Sequence, residues 1–327
     1  ASTAGPVAIL RGPASSPPAV RVSDRSSPDA LLDIDFADAA GRLGSGCLWL
    51  GGARREVWQA ALPAGDWQAD AGLWRREAGA LGVLALRLPL PASADPAGAT
   101  EHAYRTLLAA ARPGPRPYLI RVWNYLGAIN AGEGDAERYR RFCVGRDAAV
   151  DAMFRDPPPA ATAIGAPKAD APLSLLALCS AGPGIALENP RQTPAWQYPR
   201  EYGPVPPGFS RGAVLRDGDT AVLLASGTAS IVGHVSLHPG DVLAQLDESL
   251  ANLEVLLEEG RRRAGADFHP GTLQALRVYL RDPAAMPAVA ARLAARGWPL
   301  PRIAFLHGDI CRRELDIELE GVFGEDR

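Results

Sequence analysis

Three carboxylates near the end of the chain could supply a catalytic acid. Residues 315–321 read LDIELEG, so Asp316, Glu318 and Glu320 alternate with apolar residues. Because successive side chains of a β-strand point to opposite faces, the alternation predicts a strand with all three carboxylates on one face. The pattern alone favours a solvated sheet face. The alternative is a pocket in which burial and neighbouring negative charge keep one carboxylic acid protonated.

Other motifs with known chemistry are weak or absent. The run GFSRG at 208–212 matches a nucleophile elbow, but that motif needs a preceding strand and a following helix. Here prolines precede it and a strand pattern follows, so Ser210 is interpreted as non-catalytic. His234 and His238 lie four apart in a loop flanked by Gly and Pro, which is a poor pattern for a metal site. The four cysteines form no CxxC pair, so we expect neither a zinc knuckle nor a disulfide framework.

Composition excludes several classes of function. The net charge is −3, and the 34 basic residues form no long stripe, so nucleic acid is not an expected partner. Only one basic residue, Lys168, is a lysine, so anionic ligands would be bound by guanidinium groups. We find no signal-peptide pattern and no apolar run of membrane-spanning length. These features predict a cytoplasmic protein without membrane contact.

The elements that must position these residues occur twice. Periodicity in the second half predicts a strand, a helix closed by Gly260, a strand, a helix and two strands, at 221–226, 240–260, 273–282, 284–297, 302–310 and 314–321. The first half has a comparable order, with strands or helices at 46–52, 81–90, 100–114, 117–129, 136–154 and 157–182.

The end of one half aligns with the end of the other without gaps. Residues 157–182 match 299–323 at a constant offset, which places Leu176 on Glu318. We therefore predict an α+β protein of two tandem units, 1–187 and 188–327, each a mixed β-sheet with two helices packed on one face. The closing strand of the second unit is apolar on one face only, so its other face must meet water, a polar pocket or a partner.

Several runs carry a resemblance to known families. The second unit is similar to the YjgF-like reactive-intermediate deaminases, through ASGTASI, HPGDVLAQLDESLANL and the closing IELEG. In that family the first Glu of the closing element lies in the ligand pocket, and the matching residue is Glu318. The whole chain resembles a chorismatase, through WNYLGAIN, ERYRRFCVGR, ENPRQ, YPREYGP, SGTASIVGH and GDICRRELDIELEG.

The resemblance implies an activity and a fold of YjgF-like, chorismate-mutase-like units. Chorismatases cleave chorismate and release pyruvate without a metal or an organic cofactor; one branch gives a dihydroxy-cyclohexadiene acid and another gives 3-hydroxybenzoate. The aromatic branch carries Gly and Cys at two pocket positions, matched here by Gly227 and Cys311. The expected reaction is thus formation of 3-hydroxybenzoate, with Glu318 protonating the enolpyruvyl methylene. The alternatives are the hydrolytic branch and a non-catalytic module that binds a small ligand.

The resemblance also implies where substrate binds. The first unit is degenerate, so one active site is expected, in the second unit. Chorismate is a dianion, and bidentate guanidinium groups would bind and orient its carboxylates. Arg211 beside Tyr202 is the first candidate, and the further candidates are Arg277, Arg302 and Arg146. Gly227 and Cys311 would act through their small size. The structural alternatives are that Gly227 only permits a tight turn into a strand and that Cys311 only packs in a core. The chain is expected to be a monomer or a small homo-oligomer.

Overall fold

The computed structural model describes residues 17–217 and 220–324, which form an N-terminal group of strands followed by two similar units. The N-terminal strands are β1 (Ala19–Val22), β2 (Leu32–Asp35), β3 (Leu48–Gly52) and β4 (Arg55–Gln59). Strands β1, β4 and β2 form a small antiparallel sheet, which we call the N-terminal sheet. The absence of a signal peptide, expected from the sequence, concerns residues 1–16, which lie outside the described ranges.

The first unit has one sheet and three helices. Its elements are β5 (Gln68–Asp70), β6 (Leu73–Ala78), β7 (Leu81–Leu88), α1 (Pro96–Ala111), β8 (Tyr118–Gly127), α2 (Arg138–Ala149), α3 (Ala152–Arg155), β9 (Ala160–Ala166) and β10 (Leu173–Ser180). The strand order is β5-β6-β7-β10-β8-β9, in which β8 and β9 run parallel and the other neighbours run antiparallel.

The second unit repeats this plan. Its elements are β11 (Ile185–Leu187), β12 (Gly212–Asp217), β13 (Thr220–Ala225), β14 (Ile231–Val232), β15 (Val235–Ser236), α4 (Val242–Ala264), β16 (Leu273–Leu280), α5 (Met286–Ala295), β17 (Ile303–His307) and β18 (Ile317–Gly324). The order β12-β13-β18-β16-β17 corresponds to β6-β7-β10-β8-β9, and β16 and β17 are again the parallel pair. The predicted α+β duplication, with mixed sheets and helices on one face, is confirmed.

The two sheets pack against each other with the helices outside. One core joins α1 and α2 to the outer face of the first sheet, and another joins α4 and α5 to the outer face of the second. A third core lies between the two sheets and contains Leu176 and Leu178 from one side and Leu224 and Leu306 from the other. The inner face of β18 therefore faces the first unit. Of the possible surroundings for its polar face, the structure thus shows the other unit of the same chain.

Local sequence signals explain both ends of α4, although its C-terminus differs from the prediction. The side chain of Asp241 caps α4 by accepting a hydrogen bond from the Ala244 N–H at 3.0 Å. The helix does not end at Gly260 as predicted but continues to Ala264, where Gly265 takes a left-handed conformation (φ 63°). Gly260 instead lies in the helix interior. A close approach to β13 explains the glycine there, because a Cβ would lie 2.4 Å from Leu223 Cδ1.

The second sheet takes strands from both sides of the predicted division at 187/188. Strand β3, expected to belong to the first unit, pairs antiparallel with β17. Strand β11 also precedes residue 188 and pairs with β12. The repeat is therefore clear in strand order, but the two units are interleaved along the chain. No helix in the described ranges has the length and apolar character needed to span a membrane.

Candidate active site

A cavity of about 420 Å³ opens between the two units. The second unit contributes Gly227 and Glu318 to its lining, and the first contributes Tyr139 and Arg146 from α2 and Thr162 from β9. This differs from the expectation of a pocket carried by the C-terminal half alone. Because the inner faces of the two sheets meet, a cavity between them takes residues from each.

Glu318 carries a buried carboxyl group without a partner. It lies on β18 opposite Tyr279, and only 4% of its surface is exposed. No hydrogen bond from any described residue reaches its carboxyl oxygens. Burial, followed by the like charge of Glu320, raises the pKa of Glu318 to about 8, against the opposing effects of Arg121 and Arg211. Glu318 therefore carries a proton at neutral pH and can donate it into the cavity.

Gly227 leaves the space that the Glu318 carboxyl occupies. A Cβ at position 227 would lie 1.9 Å from Glu318 Oε1 and 3.1 Å from the Thr162 methyl group. The Gly227 N–H donates to Thr162 Oγ1 at 2.9 Å, which fixes the backbone beside the acid. Absence of a side chain is thus required by a close approach and not by an unusual backbone angle.

Cys311 lies on the wall of the same cavity. It is half-buried and packs against both the inter-sheet core and the outer core of the first unit. Burial, with the charge of Glu318 next, raises the pKa of its thiol well above the ordinary range. Cys311 is therefore a neutral, compact and weakly polar side chain at the surface where a ligand would lie.

Arg211 and Tyr202 are both in the cavity lining. The Arg211 guanidinium is buried and donates to the Thr193 carbonyl at 2.8 Å and to the Tyr198 hydroxyl at 2.7 Å. Its Nε has no hydrogen-bond partner among the described residues. Tyr202 contributes its ring, over which Arg312 lies at 4.0 Å from the centroid. A fixed guanidinium with a spare donor suits a carboxylate ligand.

Arg146 also lines the cavity, from the last turn of α2. It is buried, and its guanidinium lies 5.4 Å from the Phe142 ring centroid. No carboxylate in the part of the chain that the structure describes forms an ion pair with it. An unpaired buried cation costs free energy, so an anionic ligand in the cavity would stabilise it.

Arg277 and Arg302, the two other candidates for binding substrate, do not line the cavity. Arg277 is on β16 opposite Glu320, deeper between the sheets, and donates to Glu56 and Glu320. Its donors are already directed at protein carboxylates. Arg302 precedes β17 and donates to the backbone carbonyl of Leu273.

The three carboxylates of the closing stretch do not share one environment. Asp316 precedes the first residue of β18, so its side chain does not share the strand face of Glu318 and Glu320. Its carboxylate accepts a hydrogen bond from Gln245 of α4 at 3.2 Å. Glu320 is buried (3% exposed) and accepts hydrogen bonds from Arg121, Thr162, Arg277 and Tyr279. A solvated sheet face, which the pattern alone favoured, is therefore wrong.

Sequence reasoning missed several cavity residues. Arg312 and Arg313 directly follow Cys311, and Arg140 lies in the run ERYRR, so the quoted motifs contained them. Their side-chain directions depend on a turn and a helix end that periodicity does not predict. Phe209 and Tyr198 come from the irregular segment between the units, where no regular spacing exists.

The three residues of the two other motifs, Ser210, His234 and His238, each contact neighbouring groups of the protein. The Ser210 hydroxyl is fully buried and donates to the Pro158 carbonyl at 2.6 Å, which agrees with its interpretation as non-catalytic. His234 lies beside Tyr202, with Nδ1 at 3.2 Å from the hydroxyl, and His238 lies 3.5 Å from a carboxylate oxygen of Glu248. The two histidines therefore contact different groups.

Together, a buried protonated acid and several surrounding guanidinium groups form a site suited to proton transfer to a small anion. Comparison with known proteins shows which family the chain belongs to. A family model described as chorismatase FkbO/Hyg5-like, N-terminal, matches residues 56–179. A chorismatase of Streptomyces rapamycinicus is 36% identical over 82% of this chain and 81% of its own length.

Two further relatives carry related names. A 3-hydroxybenzoate synthase of Streptomyces hygroscopicus is 36% identical over 68% of each chain. A crystal structure of a chorismatase superimposes with a TM-score of 0.76 at 29% identity, covering 94% of this chain and 99% of that one. The protein is therefore an enzyme, and the chain belongs to the chorismatase family.

Proposed function

We propose that the protein cleaves chorismate to 3-hydroxybenzoate and pyruvate, with Glu318 as the general acid. The observation that carries this proposal is the buried, unpartnered Glu318 carboxyl in a cavity lined by arginines. The related chorismatases and the 3-hydroxybenzoate synthase support the substrate class and the aromatic product. The reaction needs only groups that the chain itself supplies.

The first step is protonation of the substrate at carbon. Glu318 gives its proton to the terminal methylene of the enolpyruvyl ether, which becomes the methyl group of pyruvate. The ether carbon becomes an oxocarbenium-like centre beside the new carboxylate of Glu318. A normal Glu would be ionised at neutral pH, so the raised pKa is what makes this acid available.

The product depends on which oxygen attacks next. Attack by water would give the non-aromatic diol and pyruvate. Attack by the ring hydroxyl on the oxocarbenium carbon gives a cyclic ketal, and the hydroxyl proton passes to the ether oxygen as the bond from that oxygen to the former ether carbon breaks. The bond between the ring and the former hydroxyl oxygen also breaks, so pyruvate leaves with this oxygen as its carbonyl. The ring carbon that keeps the ether oxygen gives its hydrogen as a proton to the Glu318 carboxylate, and the ring becomes aromatic. Chorismate thus gives 3-hydroxybenzoate and pyruvate with no net gain of water. Gly227 and Cys311 would favour this route by letting substrate lie against Glu318 and leaving no polar side chain to hold water.

The arginines account for binding of a dianion. Arg211 and Arg146 lie in the lining from opposite units, so each is placed to meet a different part of the ligand. Their charge also offsets the carboxylates that substrate brings, which would otherwise raise the proton affinity of Glu318 still further.

The decisive test is product analysis. Purified protein is mixed with chorismate and a chelator, pyruvate is followed by its enzymatic reduction, and the ring product is identified by chromatography. We expect equal amounts of pyruvate and 3-hydroxybenzoate, and in D₂O a pyruvate methyl group with one deuterium. Heat-denatured protein controls for spontaneous decay of chorismate.

Two other outcomes would replace the proposal. Pyruvate together with a dihydroxy-cyclohexadiene acid would place the protein in the hydrolytic branch. Tight binding of chorismate without release of pyruvate would indicate a binding module. In either case Glu318→Gln is informative, because only a catalytic acid loses turnover while it keeps affinity.

A further inference from the structure

A buried ionic cluster lies behind the acid, on the side away from the cavity. It consists of Glu56, Arg121, Arg277 and Glu320, each less than 5% exposed. Arg277 binds Glu56 through Nη2 at 2.7 Å and Nε at 3.0 Å, and binds Glu320 through Nη1 at 2.9 Å. Arg121 donates to the second oxygen of Glu320. We call these four residues the support cluster.

The support cluster is neutral only when all four members are present. It holds two guanidinium groups and two carboxylates, and each carboxylate has a cation within hydrogen-bonding distance. Glu318 is a third buried carboxyl group on the same face of the second sheet, and no cation among the described residues forms an ion pair with it. A neutral cluster leaves no net positive charge to favour its ionised form.

Glu56 reaches this cluster from outside both units. It lies on β4 of the N-terminal sheet, accepts a hydrogen bond from Trp58 Nε1 at 2.6 Å, and is not in the cavity lining. Its contact with Arg277 spans 221 residues of sequence. The residue that balances the charge of Arg277 is thus remote from the ligand.

We propose that Glu56 is a positioning residue that keeps Glu318 in its protonated, proton-donating form by completing the charge balance of the support cluster. The inference rests on the proposed role of Glu318 as an acid. Without the charge of Glu56 the cluster would carry one net positive charge beside Glu318. That charge would favour the carboxylate and remove the proton at a lower pH.

The other charged groups around Glu318 remain the same in this comparison. On the cavity side the cations are Arg140, Arg146, Arg211, Arg312 and Arg313. The acids there are Glu137, Glu201 and Glu314, and the weakly acidic groups are Tyr139, Tyr198, Tyr202 and Cys311. On the cluster side, Tyr125 and Tyr279 complete the set through hydrogen bonds to Arg277 and Glu320. A change at Glu56 alters none of these side chains directly.

The test compares Glu56→Gln with Glu56→Asp. Both changes disturb the hydrogen bonds from Arg277, but only Gln removes the charge. For Glu56→Gln we expect the pH at which kcat/KM falls on the alkaline side to move down by roughly one unit, with the rate at pH 6 little changed. Glu56→Asp should keep the wild-type limb. Asp33→Asn, which breaks an ion pair with Arg55 elsewhere in the N-terminal sheet, is the matched control.

A second variant tests the sign. Arg121→Gln removes a cation from the cluster and should move the same limb to higher pH, so opposite shifts are expected from Glu56→Gln and Arg121→Gln. Equal shifts in Glu56→Asp and Glu56→Gln would show a structural role only. Unchanged limbs in both charge-removing variants would overturn the proposal.

A measurement without substrate separates this inference from the proposed function. Above pH 4.5 the raised pKa of Glu318 makes the folded state lose stability until about pH 8, and Glu318→Gln removes that loss. The gain in Tm caused by Glu318→Gln, plotted against pH, therefore reports proton binding by Glu318. In the Glu56→Gln background we expect this gain to begin at the same pH, because the unfolded chain sets its onset, and to level off at lower pH. If it does while chorismate is not cleaved, the charge balance holds and only the proposed reaction fails.

Discussion

The cavity around Glu318 and the support cluster around Glu320 are centred two residues apart on β18, yet they give the same type of side chain opposite shifts in pKa. Both glutamates are almost fully buried on β18. Glu320 has four hydrogen-bond donors; although burial opposes ionisation, Arg277 and Arg121 hold its pKa below the ordinary value. Glu318 has no donor among the described residues, and its pKa rises to about 8. Partners, and not burial alone, decide whether a buried carboxyl is an ion or an acid.

The largest expected effect is the loss of turnover in Glu318→Gln. The amide keeps the shape of the side chain but has no proton to give, so kcat should fall by about 10²–10⁴-fold. Chorismate affinity should hold or improve, because one source of negative charge near a dianion is removed. Asp316→Asn is the control, since Asp316 contacts Gln245 outside the cavity. Near wild-type kcat in Glu318→Gln would show that another group is the acid.

Glu320→Gln should instead reduce stability. The change would leave Arg121 and Arg277 without a shared buried counter-charge. Breaking a buried pair costs about 3–5 kcal/mol, which for a chain of 327 residues corresponds to a Tm lower by roughly 4–7 °C. Thermal unfolding at pH 7 measures this. If Glu320→Gln unfolds at the wild-type Tm, the two regions differ less than their hydrogen bonds indicate.

The pH profile should show the acid directly. Because Glu318 must be protonated to act and its pKa is about 8, kcat/KM should be flat below that pH and fall about tenfold per unit above it. Rates from pH 5.5 to 10 at constant ionic strength measure the limb. A limb near pH 4.5 would mean that Glu318 behaves as an ordinary, solvated carboxylate.

The smallest expected effect concerns product choice. Replacing both Gly227 and Cys311 by Ala would combine two effects, because a Cβ at 227 would displace the Glu318 carboxyl itself. Cys311→Ala alone is therefore the cleaner change. The smaller side chain enlarges the cavity and leaves room for water. We therefore expect some diol beside 3-hydroxybenzoate, with kcat within a few-fold of wild type.

Cys179→Ala provides the matched control for that experiment. Cys179 is a buried thiol of the first unit that packs in the outer core and does not line the cavity. Its replacement should leave the product ratio unchanged. If Cys311→Ala also gives the wild-type ratio of diol to 3-hydroxybenzoate, the size of residue 311 does not govern access of water.

Much of the fold could be predicted because it is encoded locally. The leucine spacing of α4 and the alternation of β18 each need only a few neighbouring residues, and the gap-free repeat made the duplication visible. Strand β3 was assigned to the wrong unit because its partner, β17, lies about 250 residues later and pairing at that distance leaves no local pattern.

Residues of the cavity could be predicted only where they belong to a recognisable sequence motif. Glu318, Gly227, Cys311, Arg211, Tyr202 and Arg146 all line the cavity. Arg277 was misassigned because an arginine on a strand does not reveal whether its counter-charge is a ligand or a protein carboxylate. Glu56, which supplies that counter-charge, lies in a sheet whose position no local signal predicts.

The pairing of β3 with β17 also imposes an order of events during synthesis. Residues 48–52 leave the ribosome about 250 residues before the strand beside which they lie. The first unit can form its own sheet while the second is still being translated, but β3 has no partner in the second sheet until residues 303–307 emerge. Until β17 and β18 have been made, the second sheet therefore lacks the neighbour of β3, and the cavity between the units lacks Glu318.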